Sequence, residues 1–175
     1  YGEITTVLLL DTDDGTFAVK RLPVMKSRQA AEHVAQTIHD YVEALTNRGL
    51  HVVPNEARIL ERDNNDVVVY CVQTALAEDS LATNWFRDHS PDECQTQFER
   101  IVDRIETCVC PEGTSDGQLS NWAFVNDELL YLDVSTPFYR DSNGASLLDW
   151  KNYMGPIPAL LRWYYMREVP KVLDK

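Results

Sequence analysis

The chain has 175 residues, 28 acidic and 16 basic, with a formal net charge of −12. At 44% hydrophobic and 25% charged it has an ordinary globular make-up, which excludes wholesale disorder. The negative charge opposes nucleic acid and anionic membrane, both of which want a basic surface, and no apolar run approaches the ~20 residues of a membrane span.

The 16 Asp and 12 Glu stand beside only 5 Lys and 11 Arg, which reads as a well-solvated acidic surface. Four cysteines are too few for a disulfide scaffold in a chain of this length. Cys108-Val109-Cys110 lacks the spacer and the second ligand pair of a structural zinc site. These features read as reduced thiols in a cytoplasmic protein. The chain opens on Tyr1, without the basic stretch and apolar core of a signal peptide, and this suggests further sequence upstream.

In chain order, residues 5–10 are β-branched and apolar and predict a strand. The turn 11–15 and a returning strand over 16–22, closed by Pro23, make a hairpin. Ser27 caps a helix over 28–48 whose inward stripe is Ala31, Val34, Ala35, Ile38, Val42 and Leu45, with Gly49 as its stop. Residues 51–54 read as extended. A second hairpin is predicted from strands over 57–61 and 67–74, followed by a connector over 75–80. Helices follow over 81–88 and 91–109, the second with Phe98, Ile101, Val102 and Ile105 inward. After a loop over 111–120, short strands over 122–125 and 129–132 flank an Asn126-Asp127 turn. A last helix over 158–168 carries Trp163, Tyr164 and Tyr165, aromatics read as core packing. The order gives an α+β plan: an antiparallel sheet with one long helix over 1–76, then a mostly helical part over 77–175.

The segment from Ser115 to Trp122 contains Asp-x-x-x-x-Asn, Asp116 to Asn121. A predicted strand pair then leads to Asp133. An Asp on a loop can orient a hydroxyl or take its proton. A side-chain amide and a second carboxylate can share a hard, oxygen-seeking cation such as Mg²⁺.

On these residues the sequence resembles the protein-kinase-like fold, most closely its aminoglycoside-phosphotransferase and choline-kinase branch. Asp116 and Asn121 have the spacing of the catalytic loop, and Asp133-Val134-Ser135 stands where a DFG-type triplet would. Phe17-Ala18-Val19-Lys20 is similar to the V-A-I-K strand. Residues 2–7 look like the tail of a Gly-rich phosphate loop, and residues 73–79 like the hinge that meets adenine. The usual His two residues before the catalytic Asp is Thr114 here, and there is no Ala-Pro-Glu or activation loop of ordinary length.

The resemblance implies a two-lobed kinase-like fold with a reduced helical second lobe. It further implies an ATP- and Mg²⁺-dependent phosphotransferase acting on a small-molecule hydroxyl or amine. Asp116 would be the catalytic base or hydroxyl orienter. Lys20, Gly2 and Thr5 would hold the nucleotide phosphates, and Asn121 and Asp133 the metal. Glu43, in preference to Glu32, would orient Lys20. The partners implied are nucleotide and a small acceptor. A short helical lobe with exposed aromatics favours a homodimer. The rival readings are a catalytically inactive, nucleotide-binding pseudokinase and a small acidic binding protein in which each motif is an ordinary turn or cap.

Overall fold

The computed structural model describes residues 7–62, 66–141 and 143–147, which form an α+β arrangement of two sheets and three α-helices. β1 (Val7–Thr12) and β2 (Gly15–Met25) pair antiparallel across an Asp13-Asp14 turn. Thr12 closes this turn, its hydroxyl donating to the Gly15 carbonyl and accepting from Asp14 N–H. Pro23 does not end β2 as expected. The ladder to the neighbouring strand slips between Arg21 and Val24, and in such a bulge a residue without an N–H costs no ladder bond.

Ser27 caps α1 (Arg28–Asn47) as expected, its hydroxyl accepting from Ala30 N–H at 3.1 Å. Gly49, at φ 85°, takes the left-handed turn that stops the helix. The inward face of α1 carries Ala31, Ile38, Tyr41 and Leu45, and it lies on β4 (Asn55–Glu61) and β5 (Val67–Thr74). The first sheet has the order β1-β2-β5-β4, with every neighbour antiparallel. Val67, Val68, Val69 and Cys71 of β5 are buried, as the apolar run at the centre of that sheet dictates.

A second sheet joins β3 (His51–Val52) to the hairpin of β6 (Trp122–Val125) and β7 (Glu128–Tyr131), in the order β3-β7-β6. Asn126 and Asp127 both have positive φ, 48° and 65°, the signature of a two-residue primed turn. So short a turn starts the second strand at Glu128, one residue before the expected position. The residues expected only to be extended, 51–54, supply β3, which runs parallel to β7 with His51 opposite Leu130.

Between β5 and β6 the chain forms α2 (Ala82–Asp88) and α3 (Pro91–Cys108), the latter opened by a reciprocal capping box between Ser90 and Glu93. Ile101 and Cys108 are the buried residues of α3, whereas Phe98 is 55% exposed, contrary to the expected stripe. Its spacing fits the stripe, but only the C-terminal half of the helix reaches the core. Leu22, Ile38, Tyr41, Leu50, Trp122 and Tyr131 belong to one apolar cluster spanning both sheets. Fully burying each such side chain contributes roughly 1.5–3 kcal/mol. Among the described residues no helix is long and apolar enough to cross a membrane. The expected helix over 158–168, with Trp163, Tyr164 and Tyr165, lies outside the described residues, as do Gly2 and Thr5.

Candidate functional site

Two charges that lie 113 positions apart in the chain meet between the sheets. Lys20 Nζ donates to Asp133 Oδ2 at 2.7 Å, with side chains 20% and 19% exposed. Lys20 sits on β2 opposite Cys71 of β5. Asp133 follows β7 by two residues, and Gln73 at the end of β5 fixes that approach by donating its amide to the Leu132 carbonyl at 2.6 Å. The carboxylate is gripped from its other side as well. Ser135 donates to Oδ1 with its backbone N–H at 2.9 Å and its hydroxyl at 2.6 Å. Burial pushes the Asp133 carboxyl up, but the adjacent Lys20 ammonium and the two Ser135 donors outweigh it, so its pKa lies below the ordinary value. Burial, with the Asp133 charge nearby, pushes the Cys71 thiol up to about 12.

The loop from Thr114 to Asn121 crosses beside this pair. Asp116 is half-buried, and its Oδ1 accepts the N–H of Gln118 at 3.0 Å, so the loop folds around its own carboxylate. Its backbone N–H donates to the Tyr131 hydroxyl at 3.0 Å. Asn121 ends a single 3₁₀ turn over Leu119–Asn121. Its carbonyl accepts the N–H of Leu132 at 2.8 Å, which sets Asn121 beside the strand end that delivers Asp133.

Asn121 is buried, and its side-chain Nδ2 finds no partner among the described residues. The Ser115 hydroxyl and the Trp122 indole N–H share that condition. An unpaired buried donor costs about 1–3 kcal/mol, and native structures hold few of them. The three fall within one short segment, from Ser115 to Trp122.

The structure thus brings Lys20, Asp133 and Asn121 into one region, with Asp116 on the same loop as Asn121. It does not bring Glu43 to Lys20. Glu43 is exposed, because Tyr41 and Leu45 two positions on either side point into the core and helical geometry sends the residue between them outward. Glu32 accepts from Arg28 at 3.0 Å instead. The carboxylate on Lys20 is Asp133.

The model of DUF6206, a family of unknown function, matches residues 3–169. The chain belongs to that family. A search of the curated proteins finds no match.

The roles of Ser135, Tyr41 and Tyr131 escaped the sequence reading. Asp-x-Ser is a recognisable local turn pattern, so Ser135 carried a signal. Tyr41, three residues after Ile38 and four before Leu45, has core spacing and could have been found. Nothing local marks Tyr131 as a partner of Asp116. A cavity of about 210 Å³ lies elsewhere, between α3 and the β6–β7 hairpin, lined by Arg100, Arg104, His51, Trp122, Asp127 and Glu128 among others. Acidic residues share its lining with the arginines, and Arg100 already holds the Asp127 carbonyl at 2.8 Å. It contains none of the residues around Lys20, whose geometry carries the chemical argument.

Proposed function

We propose that this protein is an ATP- and Mg²⁺-dependent phosphotransferase of kinase-like architecture, acting on a hydroxyl or amine of a small molecule. The observation that carries the reading is the Lys20–Asp133 pair at 2.7 Å. It joins the strand lysine and the carboxylate to which the kinase-like resemblance gives phosphate and metal. Further support comes from the sheet order β1-β2-β5-β4 with α1 packed on it, and from the hairpin that separates Asn121 from Asp133.

Among the described residues no three His, Cys, Asp or Glu side chains cluster as a metal group. Mg²⁺ needs no such cluster, since it is commonly held by one or two carboxylates plus substrate phosphates. Asp133 fits that role. A carboxylate offers about four lone-pair positions, and Lys20 and Ser135 use three. Asp133, with Asn121 beside it, would hold the ion, which when bound neutralises charge on the transferring phosphoryl group. Lys20 would shift part of its bond from Asp133 to the nucleotide phosphates. Asp116, with one carboxylate oxygen fixed by Gln118, would orient the acceptor hydroxyl with the other. Catalysis would be mostly positioning and charge neutralisation.

The test is thermal unfolding with ATP, with and without Mg²⁺, on wild type and Asp133→Ala. At a hundred times the dissociation constant a ligand adds about 2.7 kcal/mol. A Mg²⁺-dependent rise that Asp133→Ala loses is the expected result, and no rise in either protein overturns the reading. A second reading, a nucleotide-binding module without turnover, is favoured by the exposed Glu43 and by Thr114 at the usual His position. Mg·ATP binding in wild type without phosphate release or transfer to a panel of small hydroxyl compounds would select it.

A further inference from the structure

We infer that Tyr131 and Tyr41 are positioning residues for the Asp116 loop, two buried hydroxyls that clasp its backbone at Asp116 and at Thr114. The role in turnover rests on the phosphotransferase reading; the clasp itself does not.

Tyr131 on β7 and Tyr41 on α1 are both 0% exposed. The Tyr131 hydroxyl accepts the Asp116 N–H at 3.0 Å. The Tyr41 hydroxyl donates to the Thr114 carbonyl at 2.9 Å. The two bonds are independent, one to a carbonyl and one from an N–H, two residues apart on the same loop.

Each link answers a need. Residues 114–118 lie in neither helix nor strand, so their backbone groups lack a ladder, and buried backbone groups must be paired. Phe would fill the same core volume as Tyr, so the two hydroxyls matter for what they hold. Thr114 stands where the resembled catalytic loop carries His, and here its carbonyl is the anchored group. Burial pushes both phenols above their ordinary pKa, which keeps them protonated across neutral and mildly alkaline pH.

The two anchors come from different elements. Tyr131 ties the loop to the hairpin that leads to Asp133, and Tyr41 ties it to the helix packed on the Lys20 sheet. The Asp116 carboxylate is therefore registered against both halves of the site. Small misplacements of reacting groups cost large factors in rate.

The experiment compares wild type with Tyr131→Phe, Tyr41→Phe and the double variant. Amide hydrogen exchange at Asp116 is the first readout. Tyr131→Phe should speed it about tenfold or more, while amides of β2 and β5 keep their protection. Tyr41→Phe should speed it less, because Tyr131, which holds the Asp116 N–H directly, stays in place. Phosphate release from Mg·ATP, with water as acceptor, is the second readout. It should fall about tenfold in kcat with KM for ATP within twofold. The double variant should be no slower than the worse single one, as expected of two anchors that fix the position of one loop. An Asp116 amide as protected in Tyr131→Phe as in wild type overturns the clasp. Loss of activity that only follows a lowered Tm, with KM rising in step, overturns the positioning role. If wild-type protein neither binds nor turns over Mg·ATP, the phosphotransferase reading falls. The Asp116 exchange rate then decides the clasp without it.

Discussion

The sheet of β1, β2, β5 and β4 with α1, and the stretch from Cys110 to Ser135, are built on opposite principles. The first is regular, apolar inside and hydrogen-bonded by its own ladders. The second contains two four-residue strands and one 3₁₀ turn, and it buries Ser115, Asn121 and Ser135. The regular part gives the site one charge, Lys20. The irregular part gives it Asp116, Asn121 and Asp133, together with two of the Asp133 clamps, the Ser135 N–H and hydroxyl. A stable frame lets loops carry costly polar groups in fixed positions. The tyrosines are the seam, apolar in body and polar at the tip.

The sharpest way to break this contrast is on the apolar side. Ile38→Ala removes a fully buried side chain on the α1 face and should cost about 3 kcal/mol in urea unfolding. A second effect, somewhat smaller in stability, is expected on the charged side. Asp133→Ala leaves a largely buried Lys20 without its partner and should cost about 2 kcal/mol, together with any Mg·ATP-dependent stabilisation. This contribution has a pH signature. Because the folded-state pKa of Asp133 is lowered, its stabilisation is complete above the ordinary carboxylate value of about 3.9 and is lost as pH falls through the lower folded value. The Tm difference between wild type and Asp133→Asn should therefore narrow below about pH 4. A difference that stays constant down to pH 2 would contradict the ion pair.

Asn121→Leu tests the polar loop directly. Removing an unpaired buried Nδ2 should change stability by less than about 1 kcal/mol, while weakening the Mg²⁺ dependence of ATP binding. A loss as large as that of Ile38→Ala would mean that Asn121 is structural. The smallest effect is kinetic. Cys94 and Cys110 are partly exposed, whereas Cys71 and Cys108 are buried with raised thiol pKa values. Alkylation followed by mass should modify the first pair in the folded protein and the second only on unfolding.

Much of the secondary structure in both regions was written locally. Ser27 and Gly49 bracket α1, the two-residue Asn126-Asp127 turn fixes the β6–β7 hairpin, and the apolar runs mark β2 and β5. These features depend on neighbours within a few positions, through capping, turn geometry and periodicity. The resemblance to kinase-like motifs also pointed to Asp116, Asn121, Asp133 and Lys20 as a set. The α1 carboxylate went astray because helical phase, fixed by which face the core claims, turned Glu43 outward and left Asp133 as the partner of Lys20. Pro23 and Phe98 went astray for related reasons, a bulge in one ladder and the limited reach of one helix into the core.

What the sequence determined by itself was therefore the kinds of elements, their order and the residue types able to do chemistry. Only the tertiary structure decided which of those residues meet. The parallel pairing of β3 with β7, the Gln73 bond to Leu132 and the tyrosine clasp all join segments far apart in the chain. Such contacts form when separate apolar faces are buried together and the polar groups carried in with them must find partners. No local pattern records where that happens.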